Sequence, residues 1–309
     1  MDRLQSMRVF AKVVEQGSFA RAGTALVLSN AVVTRHVADL EQHLGARLLN
    51  RTTRKLSLTE TGQLYLDRVR QILGDIDDAD AIAAASGKKP GGVLRIYCHP
   101  GFGQAQLAPL LPVFARDYPD VVLDLTLADK TVDLVEDGFD LGIFIGLQKI
   151  DGSMIARRLA SSSVIICASP AYIARRGMPA APRELSAHDC LNHAFEQVRH
   201  TWPVQCDKHE IQVPIVSKMI SNNTEVLRQA TIAGMGIAMR SSYTLGDDIA
   251  SGRLVRLLPD YCTGRLDILM VYPSRRLLSG KVRAFVDFMT ARFPDPDDDP
   301  WLSAIDNAR

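Results

Sequence analysis

The sequence has little of what usually announces chemistry. Aromatic residues make up only 6% of its 309 positions. Its five cysteines, Cys98, Cys167, Cys190, Cys206 and Cys262, are widely spaced and form no CxxC pair. That argues against a disulfide framework and against a zinc site, and leaves a redox-sensing thiol at Cys98 or Cys206 as an alternative. No nucleophile elbow, phosphate-cradling glycine loop or HExxH pair is present, so no enzyme, metal or cofactor is expected. Ser161-Ser162-Ser163 reads as a strand-linking turn rather than a nucleophile. No apolar run approaches the roughly 20 residues needed to span a bilayer. The N-terminus, MDRLQSMRVFAKVV, lacks the apolar middle segment and small-residue cleavage site of a signal peptide. A cytoplasmic protein without membrane contact is the expectation.

Net charge is nearly balanced, at +1. The balance hides an asymmetry, because residues 1–70 carry eleven Lys/Arg against six Asp/Glu. A basic N-terminal block on a neutral chain points to a local polyanion contact. The same block has helical periodicity. Leu4, Met7, Val9, Phe10, Val13 and Val14 form one apolar stripe, and Gly17 ends it. Ser18 then caps a short second helix through Leu26. Ser29 caps a third, with Val32, Val33, Val37 and Leu40 inward and Asn30, Thr34, Arg35, His36 and Asp39 outward. Two short helices joined by about three residues make a helix-turn-helix pattern.

Leu48 and Leu49, a basic tip from Asn50 to Lys55, and the alternation Leu56-Ser57-Leu58 read as a two-stranded wing. Thr59 or Thr61 can cap a long helix to about Ser86. Its residues Leu66, Val69, Leu73, Ile76 and Ala83 form a heptad-like seam, which implies a partner helix and hence a homodimer or homotetramer. Gly87 to Gly92 is a linker by composition. From Val93 onward strands alternate with helices, a βαβ texture with parallel pairing. Helices are expected over Phe102–Tyr118 and Thr131–Asp137, and separate strands over Met154–Ala160 and Val164–Ala168. The segment Asp295-Pro296-Asp297-Asp298-Asp299-Pro300 reads as an acidic, mobile tail.

Residues 18–62 resemble the LysR-type transcriptional regulators. The resemblance rests on Ser18, Phe19, Ala22, Leu26, Ser29, Val33, Arg35, Leu40, Glu41, Leu44, Gly45, Leu48, Arg51, Leu58, Thr59 and Gly62 at the family's spacing. Thr34, Asn30 and His36 depart from its usual Ser, Gln and Gln. Gly23 stands where Ala is common, at a helix cost of about 1 kcal/mol. Val27 occupies a turn position where a β-branched residue with positive φ is strained.

The resemblance implies an α+β/α-β multidomain architecture: a winged helix-turn-helix over residues 1–60, a linker and dimerisation helix over 59–91, and a two-lobed, periplasmic-binding-protein-like effector domain over 92–295. Lobe 1 would take about residues 92–162 and 268–295, lobe 2 about 163–267, and the tail 296–309. The function implied is sequence-specific regulation at double-stranded promoter DNA, and engagement of RNA polymerase if the protein activates. In the third helix, Arg35 suits guanine, Asn30 adenine and Ala31 a thymine methyl, with Thr34 and His36 beside them. Ser18, Ser29, Arg51, Thr52 and Arg54 suit phosphate contact, which positions without specifying. Small-molecule effectors favour crevices at the carboxyl ends of parallel strands. Three segments meet that description: His99-Pro100-Gly101-Phe102-Gly103, Thr131, and Asn222-Asn223-Thr224. Gly146 and an apolar wall from Phe102 and Phe195 complete the candidate site. Helix N-termini there favour an anion such as a carboxylate.

Overall fold

The computed structural model describes residues 2–51, 56–83, 89–146, 153–206, 209–274 and 278–307. It forms two compact units, one built on residues 1–93, the other on residues 94–276 and 281–309.

In the first unit, helices α1 (Arg3–Gln16), α2 (Phe19–Leu26) and α3 (Asn30–Leu44) precede strands β1 (Leu49–Arg51) and β2 (Leu56–Leu58) and helix α4 (Glu60–Ala83). Val9, Phe10 and Val13 of α1 meet Ala22 of α2, Val33, Val37 and Leu40 of α3, and Leu66 of α4 in one core. The expected dimer seam is therefore partly wrong. Leu66 is only 1% exposed and Val69 is fully buried within the single chain, so neither is available to a partner. Leu66 is buried because α4 begins on the small domain and its first turns close that domain's core. Leu73 and Ile76 lie half-buried further along, while the side chain of Ala83 falls outside the described residues. Leu64 and Ile72 are the exposed large apolar residues of α4 among those described.

The second unit begins with β3 (Gly92–Cys98), α5 (Pro100–Phe102), a π turn over Gly103–Leu107, α6 (Leu111–Asp117), β4 (Val121–Leu127), β5 (Leu141–Ile145) and β6 (Met154–Ala168). It continues through α7 (Pro170–Arg176), β7 (Asp189–His193), β8 (Thr201–Cys206), β9 (His209–Pro214), β10 (Val216–Ser221), α8 (Thr224–Ile232) and β11 (Ile237–Ser241). A 3-10 turn over Ser242–Thr244, α9 (Gly246–Ala250), β12 (Val255–Leu257), β13 (Arg265–Pro273), α10 (Gly280–Arg292) and α11 (Pro300–Asn307) complete it. Among the described residues the main sheet runs β10-β7-β11-β6-β13-β5-β3-β4, with β12 also on β6. The parallel pairs β3/β5 and β7/β11/β10 build the two lobes. The long strand β6 links them. Its first part pairs with β13 and its last residues with β11 and β12.

Three expectations change. β6 is one continuous strand of 15 residues, so Ser161-Ser162-Ser163 lie inside a crossover strand and not in a turn. Thr131–Asp137 is a turn and not a helix, because the Asp133 carboxylate takes the N–H groups of Val135 and Glu136 locally. Side chains that bond nearby backbone in this way compete with helix formation. The tail is ordered as α11, with Ile305 buried against Leu245 and Leu254. Its acidic residues have matching donors. The Asp299 carboxylate accepts from Ser163 N, from Ser242 Oγ at 2.8 Å and from Leu302 N at 2.9 Å. Asp298 O accepts from Ser161 N at 3.1 Å.

Candidate nucleic-acid interface and effector cavity

The second and third helices begin alike. Ser18 Oγ accepts from Arg21 N, and Ser29 Oγ accepts from Val32 N at 3.3 Å. A hydroxyl that caps as acceptor retains its proton for a phosphate oxygen. Between the helices Val27 takes φ 55°, ψ 40°, left-handed, and Leu28 N reaches Gly23 O at 2.8 Å. A Cβ on Gly23 would come within 2.7 Å of Leu28 O, so the glycine permits the tight turn. On α3, Asn30, Ala31, Val32 and Arg35 are exposed and Thr34 is half-buried. Arg35 Nε stands 3.9 Å from Asp39, a loose pair on an open face.

Two assignments on this helix are corrected. Val32, at 39% exposure, points outward, as its position about 100° round the helix from Val33 requires. His36 turns away from the open face, and its Nδ1 bonds Ser6 Oγ of α1 at 3.0 Å. The wing is anchored by Glu41, whose carboxylate accepts from Leu48 N at 2.8 Å and Leu49 N at 3.1 Å. Thr59 Oγ1 donates to Arg47 O and accepts from Gly62 N. A Cβ on Gly62 would lie 2.0 Å from Leu48 O. Arg51 pairs with Leu56 in the ladder. Its side chain, like Thr52 and Arg54 altogether, falls outside the described residues.

In the second unit, His99 follows β3 and caps α5, its Nδ1 accepting from Gly101 N at 3.2 Å. Its Nε2 lies 3.7 Å from Asp129. Burial pulls the His99 pKa below its ordinary value while Asp129 opposes the shift. His193 is likewise lowered by burial, and its Nδ1 has no partner. Phe195 stacks on His193 with ring centroids 4.0 Å apart. Asn223 caps α8, accepting from Glu225 N and Val226 N at 3.0 Å.

A cavity of about 610 Å³ opens beside this region. Of the residues singled out by sequence, Gly101 and Thr224 line it. His99, Pro100, Thr131, Gly146, Phe195, Asn222 and Asn223 do not. Phe102 is wholly buried behind it, so it is a support and not a wall, and Gly103 is buried where a Cβ would meet Leu127 at 2.4 Å. Gly146, at φ 79°, serves a turn.

The cavity's most distinctive group went unnoticed in the sequence. Arg240 is 5% exposed, its Nη1 donates to Thr224 O at 2.7 Å, and its Nε and Nη2 have no partner. Tyr243, Gln106 and Trp301 line the same space. A single arginine inside a strand pattern carries no signal of its own. Its meaning comes from the helix and tail that surround it.

Three buried thiols, Cys98, Cys167 and Cys190, argue against redox sensing at their positions, while Cys262 is exposed. Burial pushes Cys98 up, and pushes Cys167 and Cys190 up to about 12, whereas reactive thiols have lowered pKa values. The side chain of Cys206 falls outside the described residues. Among the described residues no group of three His, Cys, Asp or Glu is placed to hold a metal ion. No helix among them is long and apolar enough to cross a membrane.

Residues 4–63 match the family model described as "Bacterial regulatory helix-turn-helix protein, lysR family", and residues 87–294 match "LysR substrate binding domain". The HTH-type transcriptional regulator DmlR of Escherichia coli K12 is 36% identical over 297 residues, 94% of this chain and 95% of that protein. An HTH-type transcriptional regulator of Haemophilus influenzae is 35% identical over 282 residues, 91% of this chain and 98% of that one. The solved structure of CrgA, a LysR-type regulator from Neisseria meningitidis, aligns with TM-score 0.63 and 33% identity, covering 94% of this chain and 99% of CrgA.

Proposed function

Because this chain belongs to the LysR family of bacterial transcriptional regulators, we propose that it reads promoter DNA through α3 and the wing, and that a small anion bound beside Arg240 controls that reading. At the coarser level the protein is a DNA-binding transcriptional regulator with an effector-binding domain. The finer proposal is that Arg35, Asn30, Ala31 and the exposed Val32 face bases in the major groove, while Ser18, Ser29 and the wing's Arg51, Thr52 and Arg54 hold phosphates. One such motif grips too few bases for a genome-scale search. The protein therefore works as a homodimer or homotetramer in the cytoplasm, with Leu73, Ile76 and the exposed Ile72 and Leu64 offering apolar surface on α4. It engages RNA polymerase where it activates.

The observation that carries the effector reading is the Arg240 guanidinium, buried with two N–H groups unsatisfied. Unmet buried donors are costly, more so on a charged group. A carboxylate would satisfy both in one bidentate contact. A ligand alters transcription only if it binds two arrangements unequally, and the crossover strand β6 is the element on which two lobe arrangements would turn. The test is the thermal stability of the full chain with carboxylic acids and their uncharged amides. An acid at about 100 times its dissociation constant should stabilise by about 2.7 kcal/mol, and Arg240→Gln should abolish the effect. Equal stabilisation by the amides, or an unchanged response in Arg240→Gln, would overturn the reading.

A further inference from the structure

The C-terminal segment packs against both lobes and against the strand that runs between them. The family match ends at residue 294, and Asp298, Asp299 and α11 lie beyond it. On the crossover strand, β13 pairs one edge of Ser161-Ser162-Ser163. The N–H groups of Ser161 and Ser163 point to the other edge, as alternation along a strand requires. The segment takes both: Asp298 O accepts from Ser161 N at 3.1 Å, and the Asp299 carboxylate accepts from Ser163 N. Towards lobe 2, the same carboxylate accepts from Ser242 Oγ at 2.8 Å, and Ile305 is buried with Leu245, Leu254 and Ile165. Towards lobe 1, the Trp301 ring packs against Phe102 and Phe293 at centroid distances of 6.2 and 5.8 Å. Its Nε1 donates to Gln106 Oε1 at 2.8 Å.

That last bond has a consequence for the lobes. An indole N–H can only donate, so it turns the Gln106 amide oxygen towards itself and leaves the amide nitrogen facing lobe 2. There Gln106 Nε2 donates to Tyr243 O at 2.6 Å. Trp301 thus orients a direct hydrogen bond between the lobes. A segment tied to one lobe would ride with it. This one is tied to both, and to the strand on which they would turn. Rotating one lobe against the other must break one set of ties. Breaking the Asp299 set parts a buried carboxylate from a buried hydroxyl, Ser242, and such unmet groups are costly.

We infer that residues 298–307 form a clasp that holds the two lobes in one arrangement, and that a change of arrangement requires its release. The clasp rests on contacts within the chain and on the reading that the lobes turn on β6. It is independent of which small molecule binds.

Lobe separation is read by pulsed electron paramagnetic resonance on the full chain. Spin labels go on Arg116→Cys in lobe 1 and Met178→Cys in lobe 2, both exposed positions. Cys206→Ser and Cys262→Ser remove competing thiols, and labelled chain is diluted in excess unlabelled chain. The clasp itself is read by fluorine resonance after labelling with 5-fluorotryptophan. The chain has two tryptophans, Trp202 and Trp301. Trp202 is fully buried in the core of lobe 2 and reports that this lobe stays folded. The releasing variants are Asp299→Asn and Ile305→Asp, the second placing a charge among apolar side chains.

The parent should give one narrow distance distribution. In each variant the Trp301 signal should move towards that of an exposed indole while the Trp202 signal stays. The distance distribution should then broaden and its mean should shift. Parent-like distances with Trp301 released would overturn the clasp, and so would a Trp301 signal that neither variant moves. Both results leave the anion reading, which the acid titrations test, untouched. A carboxylic acid that shifts the parent's distances without moving Trp301 would also overturn the clasp, while leaving the turning of the lobes on β6 in place.

Discussion

Val27 holds a left-handed backbone that its β-branched side chain resists, and that side chain is 92% exposed. A left-handed conformation costs an L-residue about 1–2 kcal/mol, and nothing buried repays it here. Val27→Gly should therefore raise stability by about 1 kcal/mol, read as a higher melting temperature of the first unit; an unchanged or lower value would show that the turn is not strained. Its partner positions show what sequence spacing does and does not convey. Glu41, Thr59 and Gly62 were legible as a pattern, but their task was not. They hold the start of the wing, through the carboxylate on Leu48 N and Leu49 N and the close approach of Gly62 to Leu48 O. His36 and Val32 were placed on the wrong sides of α3 because periodicity is blind to flank positions. Ser6, thirty residues away, decides the fate of His36. Arg35→Ala should lose about 1–3 kcal/mol of discrimination between bases with little change in binding to scrambled duplex. Footprinting on ordered and scrambled sites checks this, and an equal loss on both would make Arg35 a phosphate contact.

At the scale of elements, α1 to α3 and most strands of the second unit were readable because each has its own apolar period and its own cap. The elements misread are those defined by distant partners. β6 runs through three serines with no apolar alternation, and it is a strand because β13 pairs Ser161, Ser162 and Ser163 from Asp267, Leu266 and Arg265. The C-terminal segment looked like a solvated acidic run. It is ordered because Asp299 meets donors from two other elements and its own helix. Ser242 Oγ gives its one proton to Asp299, so the 2.8 Å contact with Ser162 Oγ has Ser162 as donor. Asp299→Ala would strand those buried donors, and loss of about 1–3 kcal/mol from the second unit is expected. Denaturant unfolding of the full chain measures it; a melting curve identical to wild type would mean that the segment adds no stability.

For the molecule as a whole, three histidines of the second unit, His99, His188 and His193, have pKa values lowered mainly by burial. The unfolded chain takes up protons near the ordinary value of 6.5, while the folded unit does not. Stability held by keeping these rings neutral is thus complete above about 6.5 and lost as pH falls through the lowered native values. The melting temperature of this unit should fall between about pH 7 and about pH 5, and a flat profile would contradict the burial of these rings.

The account's central claim concerns the first unit, where the exposed face of α3 reads bases. The most direct measurement is the affinity of the purified full chain for its own upstream promoter and for a scrambled duplex, at one moderate salt concentration, with wild type and Arg35→Ala side by side. The account predicts a preference of about a thousandfold or more in the wild type, cut by about tenfold or more in the variant. Equal binding of the two duplexes by the wild type, with and without carboxylic acids, would contradict it.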